Sequence, residues 1–224
     1  MTDDREAAPG SGTGRLVTGL AWAVLLLGLW LWGRGVTDVR SPGGPTAGDV
    51  FTIGRPVDPA LLPPPVKPLG DARPQRIDIP QLGLQAPVVA RGLDARGAVD
   101  PPPLNQPGVV GWYGAGAAPG AAGPALMVGH VDTATRPAVF YKLSTLQPGE
   151  TVRVFRSDGT IAQFTIDDVR VLPRDDFDAR QAYGPHEPGR AELRLLTCGG
   201  TFDRADGTYT ANVVVSAYLT GTGR

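Results

Sequence analysis

Hydrophobic and polar positions divide the chain into three stretches of different texture. Residues 17–33, VTGLAWAVLLLGLWLWG, carry no charge and are bracketed by Arg15 and Arg34. As a helix this stretch rises about 25 Å, near the lower limit for crossing the hydrocarbon core of a bilayer. Trp30 and Trp32 fall at its far end, where an indole prefers the headgroup region. The pattern predicts a transmembrane anchor over 16–33 behind a short tail over 1–15. A cleaved signal peptide is the competing reading, and it calls for a shorter apolar region followed by a small-x-small site. The sequence continues instead as GRGVTDVRSPGG. Arginines and acidic residues precede the segment together, and Arg34 and Arg40 follow it, so charge gives almost no bias for orientation.

The second stretch is polar and rich in proline. Residues 41–74 hold nine prolines, among them the run LLPPPVKP. Each proline removes a backbone donor and restricts the residue before it, so no helix forms here. The composition predicts a semi-rigid polyproline spacer over 34–73.

From residue 74 onward short apolar runs alternate with turns. RIDIP at 76–80 puts Ile77 and Ile79 on one face, and a second strand follows the Gly83 turn near 86–90. PALMVGHV at 124–131 is a continuous apolar run. TVRVFRSDGTIAQFTIDDVRVL at 151–172 reads as a hairpin turning at Ser157-Asp158-Gly159, with a bend near Asp167–Asp168. AELRLLTC at 191–198 alternates, and TANVVVSAYL at 210–219 supplies the last strand. Segments 138–146 and 175–183 are predicted to hold at most a turn or two of helix. Seven or eight short strands at this spacing predict an all-β barrel or sandwich over 74–224.

Composition narrows the chemistry. The 224 residues include 31 glycines and 23 prolines, which agrees with an extended segment beside a folded one. The formal charge of −1 points to no nucleic-acid partner. A single cysteine excludes an intrachain disulfide, a cysteine-cluster zinc site and a cysteine-ligated iron–sulfur cluster. Two histidines exclude a histidine-rich metal centre, and no cofactor is expected. The acidic stretch at 174–178 reads as a solvated surface.

One constellation remains. Cys198 ends a strand against Gly199-Gly200, and His130 ends another after Gly129. Strands ending at one rim would bring the two together, with Arg204 in the following loop. A neighbouring cation favours the thiolate of a cysteine, and an imidazolium can protonate a departing amine. A buried cysteine that merely fills space is the bland alternative.

The motifs R-I-D-I-P (76–80), G-H-V-D (129–132), L-x-L-L-T-C-G-G-T-F-D-R (193–204) and Y-x-x-N-V-V-V (209–215) are similar to those of sortases, the membrane-anchored cysteine transpeptidases. The class F group of actinobacteria looks most similar. The resemblance implies a closed eight-stranded, mixed all-β barrel with one or two short helices. It implies His130, Cys198 and Arg204 as the catalytic trio, with Thr197 lining the substrate groove and Asp132 at most supporting a loop or His130. Many sortases carry the arginine on the strand after the catalytic loop, where this sequence reads YTANVVVSAYL and has none. The implied partners are exported proteins bearing an LPxTG-like sorting signal and an amine acceptor of the cell envelope. Water as acceptor would make the same trio a hydrolase. The implied location is the cell membrane, single-pass, with the catalytic domain extracytoplasmic. A non-catalytic surface-anchored β-domain is the reading from another class.

Overall fold

Alternation decides the hairpin first. In β6 (Thr151–Arg156) Val152, Val154 and Arg156 are buried while the residues between them are half-buried. Gly159 turns the chain at φ +79°, a left-handed conformation that glycine adopts without penalty, and Asp158 Oδ1 accepts from the Thr160 amide. β7 (Ile161–Pro173) returns antiparallel, and its register slips between Ile166 and Asp168. The predicted bend is thus a β-bulge.

The computed structural model describes residues 51–52, 58–95 and 97–224. The anchor predicted over 16–33 and the first part of the spacer lie outside them. No helix among the described residues is long and apolar enough to cross a membrane.

The remaining strands are β1 (Phe51–Thr52), β2 (Pro74–Ile79), β3 (Leu84–Arg91), β4 (Val110–Tyr113), β5 (Gly123–Val128), β8 (Ala191–Asp203) and β9 (Thr208–Gly223). Around the sheet the order is β7-β6-β2-β3-β4-β5-β8-β9, and β9 pairs back onto β7 from Ile161↔Gly223 to Pro173↔Ala211. Eight strands therefore close on themselves, and the two-residue β1 adds to the far half of β7. The β3–β4 and β5–β8 pairs are parallel and the others antiparallel. The fold is a closed, mixed all-β barrel. Among the described residues its helical content is three 3-10 turns and α1 (Ala179–Tyr183).

Inward residues of the strands fill the barrel, Ile77, Val154, Phe164, Leu195 and Val215 among them, all fully buried. The connection from β5 to β6 plugs one end with Phe140, Leu143 and Leu146, also fully buried. Each such side chain contributes about 1.5–3 kcal/mol on leaving water.

The proline-rich stretch predicted as a spacer is laid against the barrel over its final part. Its non-proline amides carry the bonds: Val66 donates to the Leu219 carbonyl (3.0 Å) and Leu69 to the Gly120 carbonyl (2.7 Å). Tyr218 donates its hydroxyl to the Pro63 carbonyl (2.7 Å), and the Leu69 side chain packs on the core.

Candidate functional site

β5 and β8 run side by side in parallel, from Gly123↔Ala191 to Val128↔Leu196. The Gly129 amide donates to the Leu196 carbonyl at 3.1 Å, so the ladder continues past the end of β5. The paired rows end there, with His130 and Cys198 each two residues past the last pair, at the same end of the two strands. Inward-facing Leu193, Leu195, Ala125 and Met127 belong to the core. Their alternates, ending in His130 and Cys198, occupy the outer face.

Gly129 allows the plug to approach His130. A Cβ there would lie 2.6 Å from Val139 Cγ1 and 2.7 Å from Phe140 Cδ2. The Phe140 amide donates to the His130 carbonyl at 3.0 Å. On the ring, Nε2 lies 2.7 Å from the Pro102 carbonyl. A carbonyl only accepts, so Nε2 carries the proton and Nδ1 is left as the available nitrogen.

Cys198 is exposed and unpaired. Gly199 and Gly200 follow it into a register slip against β9. Gly200 has φ +76°, and a Cβ there would meet Thr210 Oγ1 at 2.5 Å. Glycine is thus required for the turn that bares the rim. Solvent reaches the sulfur, yet its setting is concave. Burial pushes the thiol above its ordinary value, the Asp132 carboxylate adds to this, and the Arg174 guanidinium acts against it. The resting side chain is therefore mostly the thiol at neutral pH.

Val131, Phe140, Val171, Thr197, Cys198 and Val213 are among the residues lining a cavity of about 280 Å³. Thr197 is 4% exposed, and its Oγ1 has no hydrogen-bond partner among the described residues. Asp132 accepts from the Tyr209 hydroxyl, which ties the loop after β5 to β9. That bond holds the Tyr209 phenol up at about 12.

Arg204 occupies the exposed turn between β8 and β9, just past the pair Asp203↔Thr208. Six residues of extended chain separate it from Cys198, about 20 Å of strand. The structure thus brings Thr197 and Cys198 to one cavity, leaves His130 just past the same end of the β5–β8 pair, and sets Arg204 along the hairpin from the sulfur. Arg174, Tyr209 and the Pro102 carbonyl are neighbours of this rim that sequence reasoning missed. The β-run ending at Pro173 was a signal for Arg174, but only pairing across β9 makes it a neighbour. Among the described residues no three His, Cys, Asp or Glu side chains gather to hold a metal ion.

The outer face of β5 also carries an apolar cleft of about 420 Å³, lined by Leu93, Val99, Tyr113, Leu126 and Tyr183 among others. Its wall, the segment between β7 and β8, is fixed from below. Glu192 accepts from the amides of His186 (2.9 Å) and Glu187 (3.0 Å), and Arg194 donates to the Gly184 carbonyl (3.0 Å). Glu192 and Arg194 pair with each other, fully buried.

A model of the sortase domain matches residues 77–220. The chain belongs to the sortase family. Among solved structures it is similar to sortase C-1 from Actinomyces oris, at 21% identity and a TM-score of 0.50 over 65% of this chain and 73% of that one. A Streptococcus agalactiae sortase C1 in complex with MTSET matches at 18% identity and a TM-score of 0.50, over 66% and 69% of the two chains. The sortase C2 of Group B Streptococcus pilus island 1 matches at 16% and 0.50, over 65% and 73%. These sortases share the barrel with this chain. No curated protein matches it. The sortase fold, with one exposed cysteine on its rim, is consistent with cysteine-transpeptidase activity.

Proposed function

We propose that this sortase-family chain is a cysteine transpeptidase that cuts a C-terminal sorting signal and passes the acyl part to an amine. The observation that supports the reading is the parallel register of β5 and β8, which ends two residues short of both His130 and the exposed Cys198. The Cys198 thiol gives its proton to His130, and the resulting thiolate attacks the scissile carbonyl carbon; a C–S bond forms and the π electrons move to oxygen. As the intermediate collapses the C–N bond breaks, and the His130 imidazolium gives its proton to the departing amine. A thioester remains on Cys198. The acceptor amine attacks it, His130 takes the surplus proton, and the thiolate is released.

Thr197 is the substrate-facing residue in this reading, its unpartnered hydroxyl turned to the cavity beside the sulfur. By the F-D-R motif alone the cation for the oxyanion would be Arg204, which stands along the β8–β9 hairpin from the sulfur. The substrates are exported proteins with an LPxTG-like signal, and the acceptor is an amine of the cell envelope. The segment 16–33 anchors the chain in the membrane with the barrel outside. The T-C-G-G-T-F-D-R run and the anchor-plus-spacer layout favour class F within the family.

The test is product analysis on an LPxTG-type peptide, with and without added amine, for the native chain and Cys198→Ala. Cleavage that vanishes in the variant while the fold persists supports the reading. Amide product that grows at the expense of acid as amine is added supports transfer. Full activity in Cys198→Ala overturns the proposal, and acid as the sole product at all amine concentrations makes the enzyme a hydrolase.

A further inference from the structure

We infer that Arg174, at the end of β7, is the guanidinium that serves the Cys198 sulfur, in the role the sequence motif gives to Arg204. This rests on the reading of Cys198 as nucleophile and names the cation that reading needs.

β9 lies between β7 and β8 and fixes positions on both sides. Asn212 pairs with Cys198 on one flank and with Leu172 on the other. Beyond that row Pro173 pairs with Ala211, and the Arg174 amide donates to the Thr210 carbonyl at 2.9 Å. Arg174 is therefore two strands across and two residues along from Cys198. At about 4.8 Å per strand and 3.3 Å per residue, their backbones lie about 12 Å apart. An arginine side chain leaning along the sheet can cover about 6 Å of that. That separation leaves the guanidinium within the range at which its charge acts on the sulfur. Alternation puts both on one face: Leu172, Val214 and Leu196 form a single outer cluster, and Arg174 and Cys198 are each two residues past a member of it.

Two further observations agree. The Arg174 side chain is exposed and makes no ion pair or hydrogen bond with the described residues, so its charge is uncommitted. It is also the arginine whose field favours the Cys198 thiolate. The other titratable groups near the sulfur are the Asp132 carboxylate and the Tyr209 phenol of β9, with His130 just past the end of β5. Arg174 is the cation placed to offset Asp132. When the thiolate has attacked and the carbonyl oxygen carries the negative charge, the same guanidinium donates to it.

The experiment is the pH profile of Cys198 alkylation by iodoacetamide in the native full chain, Arg174→Gln, Arg174→Lys and Arg204→Gln, with folding checked by circular dichroism. Arg174→Gln is expected to move the midpoint up and to slow alkylation at pH 7 by about 3- to 10-fold. Arg174→Lys is expected to recover most of that loss, because it restores the charge. Arg204→Gln is expected to superimpose on the native profile. A profile moved by Arg204→Gln and untouched by Arg174→Gln overturns the inference, as does one that neither moves; in both cases the nucleophile reading survives. A thiol that reacts only on unfolding overturns the nucleophile reading itself and this inference with it.

Discussion

The two faces of β8 are buried by different means. Leu193 and Leu195 point into the barrel and meet other apolar side chains. Glu192 and Arg194 point outward, are equally inaccessible, and are covered by the segment between β7 and β8. The inner face asks only for apolar residues at every second position. The outer face asks for charges that satisfy one another and the amides and carbonyls of the covering segment, because a buried charge without partners is costly. Exposure returns only where that cover ends, and Cys198 is the residue there. The exposed position on this face is thus defined by the extent of a cover held by ion pairs, while the barrel supplies a rigid wall beneath it.

The strongest test of this contrast is Glu192→Ala. It strands Arg194 in a buried site and frees the amides of His186 and Glu187, and a loss of about 3–5 kcal/mol is expected in urea unfolding. Cleavage by a limiting protease between 174 and 190 should appear in the same variant; an unchanged digest breaks the argument that Glu192 holds the wall. Leu195→Ala on the inner face is expected to cost about 2–5 kcal/mol with no new protease site, since it leaves a cavity and not a loose segment. Gly129→Ala forces a methyl against Val139 and Phe140 and is expected to cost about 1–3 kcal/mol. It should also slow peptide cleavage, because it disturbs the chain leading into His130.

Acid sharpens the comparison further. Burial alone would raise Glu192, but the His186 amide, Arg194, the Glu187 amide and Arg190 together hold it below its usual range. Its stabilisation is present above the unfolded value and is lost as pH falls through the folded one. Burial raises Asp167 despite Arg190 and Arg194, so its protonation favours the fold as pH falls. Glu192→Gln should therefore flatten the acid loss of urea stability, and Asp167→Asn should steepen it. Equal slopes in both variants and the native chain contradict the assignment. The smallest expected effect is at the rim. Asp132→Asn removes a negative charge that disfavours the thiolate, and alkylation of Cys198 at neutral pH should quicken.

Much of the barrel was legible because its rules are local. The alternation in β2, β6 and β8 and the Ser157-Asp158-Gly159 turn each mark their own element. β4 was not seen: Val110–Tyr113 is four residues long, contains Gly111, and stands between glycine- and proline-rich loops. β8 was read as ending at Cys198, because Gly199-Gly200 looks like punctuation; the strand instead bends there and runs on to Asp203. The motif placed His130 and Cys198 in one reading, and the parallel register of β5 and β8 ends two residues short of both. The outward charges of AELRLL fit the ordinary alternation of a strand, and no local pattern announces that a later-packed segment covers them. Arg174 was hidden for a similar reason. Its relation to the sulfur passes through β9, so it depends on pairings between residues far apart in sequence.

The strap of residues 63–69 has a mechanical consequence. A pull on the chain ahead of it is resisted where Val66 and Pro63 are bonded to Leu219 and Tyr218 of β9. Leu219 is seven residues from Asn212, the partner of Cys198, or about 23 Å along the same strand. β9 is paired along its length to β7 and over most of it to β8, so tension enters the stiffest part of the wall as shear. The sulfur stands well down that strand from the point of loading, and a tug on the tether leaves its surroundings undistorted.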